Sequence, residues 1–454
     1  MKNGKLQILT SILALITIFT SIVSAQTDKK YTQYTHETLP NGLDLIIGYN
    51  PDSRVFAINI LGKNRAANEP PSQEGITDFV NRMLVLGADG MSAEQIQNKL
   101  DDIGAAITTN DNPYIPYDDR YTSRAFSFIK FETIDEYAKD GTKLLYSIVA
   151  KPTFPEEQIA QTKKKVMGIL GMSSGSTYQT CRDLLYSNLF YGHPFARPVL
   201  GNQRSVGAFT RDNLVSYHKH FYAPNNMIIA VVSNIHPDTI KTWIMGTFGK
   251  MSKDKSPYNA ITFPKKPEGV VEVHQDMDKE QIYIYMGTII PGLKSPDAPA
   301  INMAAAILSS HMGLDLREKQ GLAYSVGADA DFMPDFGWLV AAMGTGYQNA
   351  DKATSGMISE INAMVTNEPS EEELNKAQNS TWGSMLLARA SRINQAFYMC
   401  RNEFLGVGYD YENDYLAKIR QVKTSDITRV ARDYFDAYDI VIATAGKKAE
   451  PEEK

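Results

Sequence analysis

The stretch Glu74–Gly87, with the sequence EGITDFVNRMLVLG, determines how the rest of the chain is interpreted. Apolar residues recur in it at positions i, i+3, i+4, i+7 and i+8, which is the pattern of a half-buried helix. They are Ile76, Phe79, Val80, Met83 and Leu84. Asp78, Asn81 and Arg82 are also spaced i, i+3 and i+4, so they share another face of that helix. The simplest interpretation of this face is an Asp78–Arg82 ion pair on the helix surface, which contributes roughly 0.3 kcal/mol.

The same spacing is used by an inverted zinc motif, H-x-x-E-H, in which two imidazoles one helical turn apart hold the metal. A carboxylate beside them acts as the general base. In this chain the three positions hold an acid, an amide and a guanidinium instead. Asp78 can accept hydrogen bonds, but Arg82 keeps its proton and has no lone pair for a metal. This helix face therefore predicts no ordinary zinc site.

The composition limits the kind of protein. The chain has 454 residues, more than one hydrophobic core usually serves, so we expect two or more domains. Apolar residues make up 43% of the chain and charged residues 22%, which excludes a disordered protein. The net charge of −6, without a basic block, argues against nucleic acid as a partner.

The N-terminus has the pattern of a secretory signal peptide. Lys2 and Lys5 precede an apolar run over residues 6–23, and small residues follow at Ser24 and Ala25. We expect cleavage after Ala25 and a periplasmic or secreted location. An uncleaved membrane anchor is the alternative, although the run is barely long enough to span a bilayer. No later segment is as long and apolar, so we expect no stable membrane insertion after cleavage.

The cysteines and histidines lack the spacing of a metal site. Cys181 and Cys400 could form one disulfide after export, but they fit neither a disulfide framework nor a metal-ligand pair. The 7 histidines form neither H-x-x-x-H nor H-x-x-E-H. His218 and His220 lie two residues apart on a predicted helix, so they point to different faces and cannot bind one metal together. We expect structural roles for the histidines.

Apolar periodicity and turn signals predict an α+β fold with helices packed on a mixed sheet. Ser92 and Thr133 are the expected N-caps of two of the helices. The expected strands cover residues 43–47, 55–61, 105–109, 125–131, 227–232 and 281–286, and the expected helices begin near residues 74, 92, 134, 156 and 210.

Two helix-opening patterns recur at nearly one spacing. The segment starting Glu156-Glu157 is matched by one starting Glu371-Glu372, an offset of 215 residues. The segment starting Thr210-Arg211 is matched by one starting Thr424-Ser425, an offset of 214 residues. These matches predict a tandem duplication. We expect a first domain over residues 31–250, a linker rich in Lys, Ser and Pro over 251–267, a second domain over 268–446 and a disordered tail over 447–454.

In the second half, the segment Leu316–Tyr324, LREKQGLAY, has the pattern of a helix end, a stop at Gly321 and the start of a strand. Arg317 and Tyr324 flank that turn. A guanidinium and a phenol close together can donate hydrogen bonds to peptide carbonyl groups. The alternative is a surface arginine beside an unrelated strand aromatic.

From about Thr38 to Phe435 the chain resembles the pitrilysin/insulinase family of zinc peptidases, which includes mitochondrial processing peptidase and the core subunits of the respiratory bc1 complex. Several segments match in the family's order. They are Thr38–Leu43, Glu69–Ile76, His193–Gly201, Tyr222–Met227 and Leu316–Tyr324. The resemblance implies two tandem homologous domains, each a mixed, mainly antiparallel sheet with helices packed on it.

The resemblance places the family's inverted zinc motif on altered residues. The first His falls at Asp78, the catalytic Glu at Asn81 and the second His at Arg82. A later Glu ligand of the family falls near Gly168 or Ile169, where no carboxylate stands. Without ligands there is no zinc, and without a carboxylate there is no activated water. The resemblance therefore implies that no catalytic residue is intact and that this chain holds no metal.

Arg317 and Tyr324, by contrast, match the family's Arg–Tyr pair, which holds the substrate backbone near the scissile bond. Gln320 stands where a basic residue is common in the family. The resemblance also implies that substrates bind as an added strand at a sheet edge of the first domain, here residues 105–109, next to an insertion-like stretch, Asn112–Arg120. In the family's two-chain bacterial enzymes, one subunit holds zinc and the other, which lacks it, supplies the Arg–Tyr pair.

Three functional hypotheses follow. In the first, the protein is a non-catalytic, substrate-holding subunit that forms a heterodimer with a zinc-bearing relative in the periplasm and helps to degrade peptides. In the second, it is a peptide- or protein-binding scaffold of the same fold. A scaffold of a respiratory complex would need an organelle, which the signal peptide argues against. In the third, it is a self-sufficient enzyme whose metal is held by Asp78 and distant residues.

Overall fold

The computed structural model describes residues 33–110, 123–435 and 437–448. The expected signal peptide, the Asn112–Arg120 stretch and most of the expected tail lie outside these residues. Within them, no helix has the length and apolar content needed to cross a membrane. The strands are β1 (Gln33–Thr38), β2 (Asp44–Tyr49), β3 (Val55–Lys63), β4 (Gly87–Ala88), β5 (Met91–Ser92), β6 (Ala106–Thr108), β7 (Phe126–Ile134), β8 (Met227–Ser233), β9 (Val271–Asp276), β10 (Gln281–Pro291), β11 (Ser325–Phe332), β12 (Phe336–Gly346) and β13 (Val441–Gly446). The α-helices are α1 (Arg65–Asn68), α2 (Ile76–Met83), α3 (Ala93–Asp102), α4 (Ala138–Ala150), α5 (Glu156–Ser174), α6 (Thr177–Leu189), α7 (Gln203–Ala208), α8 (Arg211–Phe221), α9 (Pro237–Gly246), α10 (Ala298–Met312), α11 (Ala350–Thr366), α12 (Glu371–Ala388), α13 (Arg392–Phe404), α14 (Glu412–Gln421) and α15 (Thr424–Tyr434).

The two large sheets share one core topology. The first has the strand order β1-β2-β8-β3-β7-β6 and the second has the order β9-β13-β10-β12-β11. In each half the first core strand, β2 or β9, pairs in parallel with the last, β8 or β13. The remaining neighbours in both sheets pair antiparallel, and β1 is an additional edge strand of the first sheet. This repeated topology confirms the predicted α+β class and the predicted duplication.

Each sheet is covered on both faces, and one of the two covers comes from the other half of the chain. Helix α13 of the second half lies against β3 and β8 of the first sheet. Helix α6 of the first half lies against β10 and β13 of the second sheet. Because both faces are covered, a central strand such as β8 is buried along its whole length and has a continuous apolar sequence.

Cys181 of α6 and Cys400 of α13 lie at these two helix–sheet contacts and are free thiols. The Cys181 thiol donates to the Ala443 carbonyl oxygen at 3.1 Å, and the Cys400 thiol donates to the Asn59 carbonyl oxygen at 3.5 Å. Because each thiol faces a different sheet, the disulfide considered from the sequence is not formed. Burial raises the pKa of both thiols, that of Cys400 to about 12.

The prediction that Thr133 caps a helix beginning at residue 134 is wrong. Strand β7 continues to Ile134, which pairs with Val55, and a short 3₁₀ turn over Asp135–Tyr137 precedes α4. The Thr133 hydroxyl donates instead to the Ile103 carbonyl oxygen at 2.6 Å. Sheet pairing thus extends the strand past a residue whose local preference is to start a helix. Ser92, by contrast, is the N-cap of α3, as predicted, and it forms a capping box there with Gln95.

Residues 251–267, all of them described, form neither helix nor strand, and their backbone is held on the first half by side chains. The Asn225 amide bonds both the carbonyl oxygen and the N–H of Asp254, and the Asn68 amide does the same for Asn259. The His193 ring also bonds the Thr262 carbonyl oxygen at 3.0 Å. We propose this anchored segment as the boundary between the two domains.

Helix α2 begins where a buried carboxylate replaces an N-cap side chain. One Glu69 oxygen accepts from the Gly75 N–H at 3.0 Å, and the other accepts from the Thr77 N–H at 3.2 Å. These are two of the donors that the first turn of a helix leaves unsatisfied. Gly75 has φ of +81°, and a β-carbon on it would lie 2.4 Å from the Leu200 carbonyl oxygen. The turn into α2 therefore requires glycine.

We expect Gly75→Ala to lower the free energy of unfolding by about 2 kcal/mol or more, because the backbone conformation and the contact with Leu200 both oppose a β-carbon. Gly168→Ala is the matched control. A β-carbon at Gly168, inside α5, meets nothing within 4 Å. We expect that change to leave stability unchanged or to raise it by about 0.5–1 kcal/mol. Urea unfolding of both variants measures the difference, and equal effects would contradict this account of the turn.

Candidate functional site

Asp78 and Arg82 on α2 form a two-point ion pair. The Arg82 Nε donates to one Asp78 oxygen at 2.6 Å, and the Arg82 Nη2 donates to the other at 3.2 Å. Only 3% of Asp78 is exposed, so the predicted pair exists but does not lie on the helix surface. The sequence interpretation was wrong on that point because the sheet covers this face of α2. A buried two-point pair depends on its geometry far more than an exposed one does.

Asn81 belongs to a closed triangle of buried side chains. Its amide N–H donates to the Ser127 hydroxyl at 2.8 Å, and its amide oxygen accepts from the Tyr222 hydroxyl. Ser127 and Tyr222 bond each other at 3.0 Å. Burial raises the pKa of Tyr222 to about 12, so the phenol stays neutral. Neither Ser127 nor Tyr222 was predicted to lie at this site, since only the fold brings them beside α2.

These residues do not fit a catalytic zinc ion. Arg82 has no lone pair, and Asp78 is already used by Arg82. Both polar ends of the Asn81 amide are occupied, and an amide is not a base. At the fourth position, Gly168 and Ile169 lie on α5 and offer no donor atom.

Each of the 7 histidines contacts a neighbouring polar group of the protein. The His218 Nε2 donates to the Val149 carbonyl oxygen at 2.7 Å, while the His311 Nε2 bonds a Glu373 carboxylate oxygen at 2.7 Å. Burial lowers the pKa of His218 to about 4. Among the described residues, no three His, Cys, Asp or Glu side chains lie close enough to hold one metal ion. The structure thus offers no unorthodox metal site in the described part of the chain.

The first sheet ends beside the altered motif. Strand β6 is the outermost of the described strands of that sheet and spans three residues, Ala106–Thr108, rather than the predicted five. A narrow cavity at its end is lined by Asp78 and Asn81 of α2, by Thr109 and by Ser127. The edge at which the family resemblance places a substrate strand is therefore present, although it is short.

Arg317 and Tyr324 lie on one connection in the second half, and both are exposed. Arg317 belongs to a π-helical segment, Gly313–Lys319, that extends α10, and Gly321 ends it with φ of +63°. Tyr324 is 71% exposed just before β11. Neither side chain forms a hydrogen bond, an ion pair or a ring contact with any residue that the structure describes.

The backbone between these two side chains is well fixed. Leu316 is fully buried, and its side chain packs so closely on Gly356 that a β-carbon there would lie 2.7 Å from it. The Leu322 carbonyl oxygen accepts from the Thr345 hydroxyl at 2.6 Å, and the Tyr324 N–H donates to the Gly344 carbonyl oxygen at 2.9 Å. The connection thus presents two donors that have no partner among the described residues, on a backbone held by hydrogen bonds and packing. π-Helical turns are rare and frequently occur at functional sites.

Family models match both halves of the chain. The model described as "Insulinase (Peptidase family M16)" matches residues 63–203, and the model described as "Peptidase M16 inactive domain" matches residues 208–381. Together they cover well over half of the chain. The chain belongs to the insulinase family.

Two bacterial proteins described as uncharacterized zinc proteases are similar to most of this chain. An uncharacterized zinc protease of Bacillus subtilis, YmxG, is 24% identical over 406 residues, which cover 88% of this chain and 95% of that protein. An uncharacterized zinc protease of Rickettsia felis is 23% identical, with 88% and 94% covered.

Solved structures share the fold. The crystal structure of a peptidase M16 inactive domain from Pseudomonas fluorescens matches with a TM-score of 0.83 and 17% identity, covering 92% of this chain and 99% of that one. The periplasmic protease PqqL of Escherichia coli matches with a TM-score of 0.76 and 13% identity, covering 93% of this chain and 47% of that one. At these identities the likeness concerns the fold alone.

We expect Asp78→Ala to lower the free energy of unfolding by about 3 kcal/mol, because it removes a buried carboxylate from a guanidinium that stays behind. Glu372→Ala is the matched control, since Glu372 pairs with Lys376 at the same i, i+4 spacing on an exposed face. That variant should lose less than about 0.5 kcal/mol. Thermal or urea unfolding measures both, and similar small losses would show that the Asp78 pair does not support the fold.

His218 should make the protein less stable in acid. Its pKa is about 4 in the folded protein, against 6.5 for an ordinary histidine, so the unfolded chain binds more protons between these values. The stability contributed by the neutral ring is present above pH 6.5 and is lost as the pH falls toward 4, by about 3 kcal/mol. His218→Gln keeps a donor for Val149 but cannot titrate, so it should reduce this pH dependence. The exposed His236→Gln variant is the control and should not change it.

Proposed function

We propose that this protein is the substrate-holding, zinc-lacking subunit of a two-chain peptidase of the insulinase family. In this role it pairs with a zinc-bearing relative, and the Arg317–Tyr324 connection binds the backbone of the peptide. The observation that carries the proposal is the contrast between the two sites of the chain. At the altered motif the side chains bond one another, whereas at the Arg–Tyr connection two donors on a rigid base have no described partner.

The chemistry of the two donors supports this role. A guanidinium and a phenol can each donate to a peptide carbonyl oxygen without discriminating among side chains. Their exposure means that they contribute little to the stability of this chain, so a binding role accounts for them better than a structural one. The zinc and the activated water would then be supplied by the partner, which brings its own ligand set.

The location follows from the same proposal. The expected signal peptide directs the chain to the periplasm or to secretion, and PqqL, which has the same fold, is described as a periplasmic protease. A peptidase subunit in that compartment meets peptides that have left the cytoplasm.

The second candidate is a peptide-binding scaffold without any role in cleavage. The altered motif favours it, because Asp78, Asn81 and Arg82 bond within the chain and supply neither a metal ligand nor a base for cleavage. The two candidates differ in whether this chain changes the rate of a peptidase.

The test is a mixing experiment. The mature protein and a zinc-bearing family member from the same genome are purified separately, their zinc content is measured, and cleavage of a quenched fluorescent peptide is followed for each alone and for the mixture. We expect no zinc and no cleavage with this chain alone, and at least a tenfold gain in rate on mixing. Arg317→Ala and Tyr324→Phe should each remove most of that gain.

Matched controls are Arg432→Ala and Tyr191→Phe, which change exposed residues of the same types away from the Arg–Tyr connection. Both should leave the gain unchanged. Peptide binding without any effect on the partner's rate would support the scaffold instead. Zinc and cleavage with this chain alone would overturn both candidates.

A further inference from the structure

A cavity of about 260 Å³ lies between the two halves of the chain and is distinct from both sites described above. Its walls come from the start of β7, from α6, from β12 and from α13. Phe126 lines this cavity on one side and the narrow cavity beside Asp78 on the other. The two cavities therefore have this one lining residue in common.

Three guanidinium groups line the cavity. They belong to Arg124, Arg182 and Arg401. Arg124 stacks on the Tyr186 ring, with its central carbon 3.9 Å from the ring centroid, and one of its nitrogens lies 3.7 Å from an Asp183 oxygen. Arg401, on α13, differs from Arg124, because its side chain forms no hydrogen bond or ion pair with any described residue. One acidic residue, Asp331, also lines the cavity, so three arginines and one aspartate leave the lining with a net positive charge. The Arg401 guanidinium keeps its donors for a ligand.

Aromatic side chains form much of the remaining wall. Trp338 donates its indole N–H to the Tyr186 hydroxyl at 3.1 Å, which fixes both rings. Phe397 packs against Phe126 and Phe128 with centroid distances of 6.1 and 5.1 Å. A cavity with rigid aromatic walls and a few convergent polar groups has the character of a small-ligand site.

We propose that this cavity binds a carboxylate-bearing ligand, with Arg401 as the group that receives the carboxylate. The planar guanidinium matches the two oxygens of a carboxylate in a two-point geometry, and the aromatic rings accept an apolar or aromatic group beside it. The carboxylate has two sources of the same chemistry: a free small acid, or the C-terminus of a peptide. This site does not depend on a zinc-bearing partner, since every group that forms it belongs to this chain.

The test is calorimetric titration of the mature protein alone. One arm uses N-acetylphenylalanine and its amide, and the other uses an eight-residue peptide ending in Phe, as the free acid and as the C-terminal amide. We expect the acid of at least one pair to bind at least tenfold more tightly than its amide. A preference shown by both pairs identifies a small carboxylate as sufficient, and a preference shown only by the peptide pair identifies a peptide C-terminus. Equal affinity within both pairs, or no binding of any probe, would overturn the proposal.

Variants locate the binding group. Arg401→Gln should lower the affinity for the preferred acid at least tenfold and bring it close to that of the amide, while Arg401→Lys should restore part of it. Arg432→Gln, an exposed arginine outside the cavity, is the control and should bind as the unchanged protein does. Unchanged acid binding by Arg401→Gln would overturn the assignment of Arg401. The acid–amide comparison uses the unchanged protein, so it stays decisive even where a variant folds poorly, and it is independent of the mixing experiment.

Discussion

The constraint on which the structure depends is the mutual exchange of helices α6 and α13 between the two sheets. A sheet with one bare face of this size would expose a large apolar surface, and here each half covers the bare face of the other. The exchange explains why the strands have apolar residues on both faces and why each thiol is buried against a different sheet. It also means that neither half keeps its complete core without the other, so the two domains should unfold together.

The altered motif shows how a helix face that could hold a metal is filled when the metal ligands are absent. Side chains one turn apart on α2 point toward the sheet, where polar groups must find partners. Asp78 and Arg82 neutralise each other there, and Asn81 bonds two hydroxyl groups. Replacing both charged residues by apolar ones of similar size would cost little by the same reasoning. Asp78 and Arg82 therefore bond each other and do not form an open site for a ligand.

Much of the fold could be predicted from the sequence because it depends on local signals. The apolar spacing predicted α2, Ser92 as an N-cap predicted the start of α3, and the repeated helix starts predicted two halves of one topology. Helix α6 was not predicted, because its apolar residues face a sheet that lies about a hundred residues further along the chain. Thr133 was misplaced for a similar reason, since pairing with β3 extends β7. The burial of Asp78 and the triangle around Asn81 likewise depend on strands and helices distant in sequence.

The two halves share one core topology but differ in whether the polar groups at their sites form hydrogen bonds within the chain. In the first half the groups at the motif find partners within the chain, so that region adds to stability and has little left to offer a ligand. In the second half, a π-helical segment and a left-handed glycine hold Arg317 and Tyr324 in solvent, an arrangement that does nothing for the core. A π-helical segment is uncommon, and here it fixes the direction of two side chains that do not contribute to the hydrophobic core. Among the described residues, the two halves thus differ at corresponding places: the polar groups of the altered motif bond one another, whereas Arg317 and Tyr324 have no described partner.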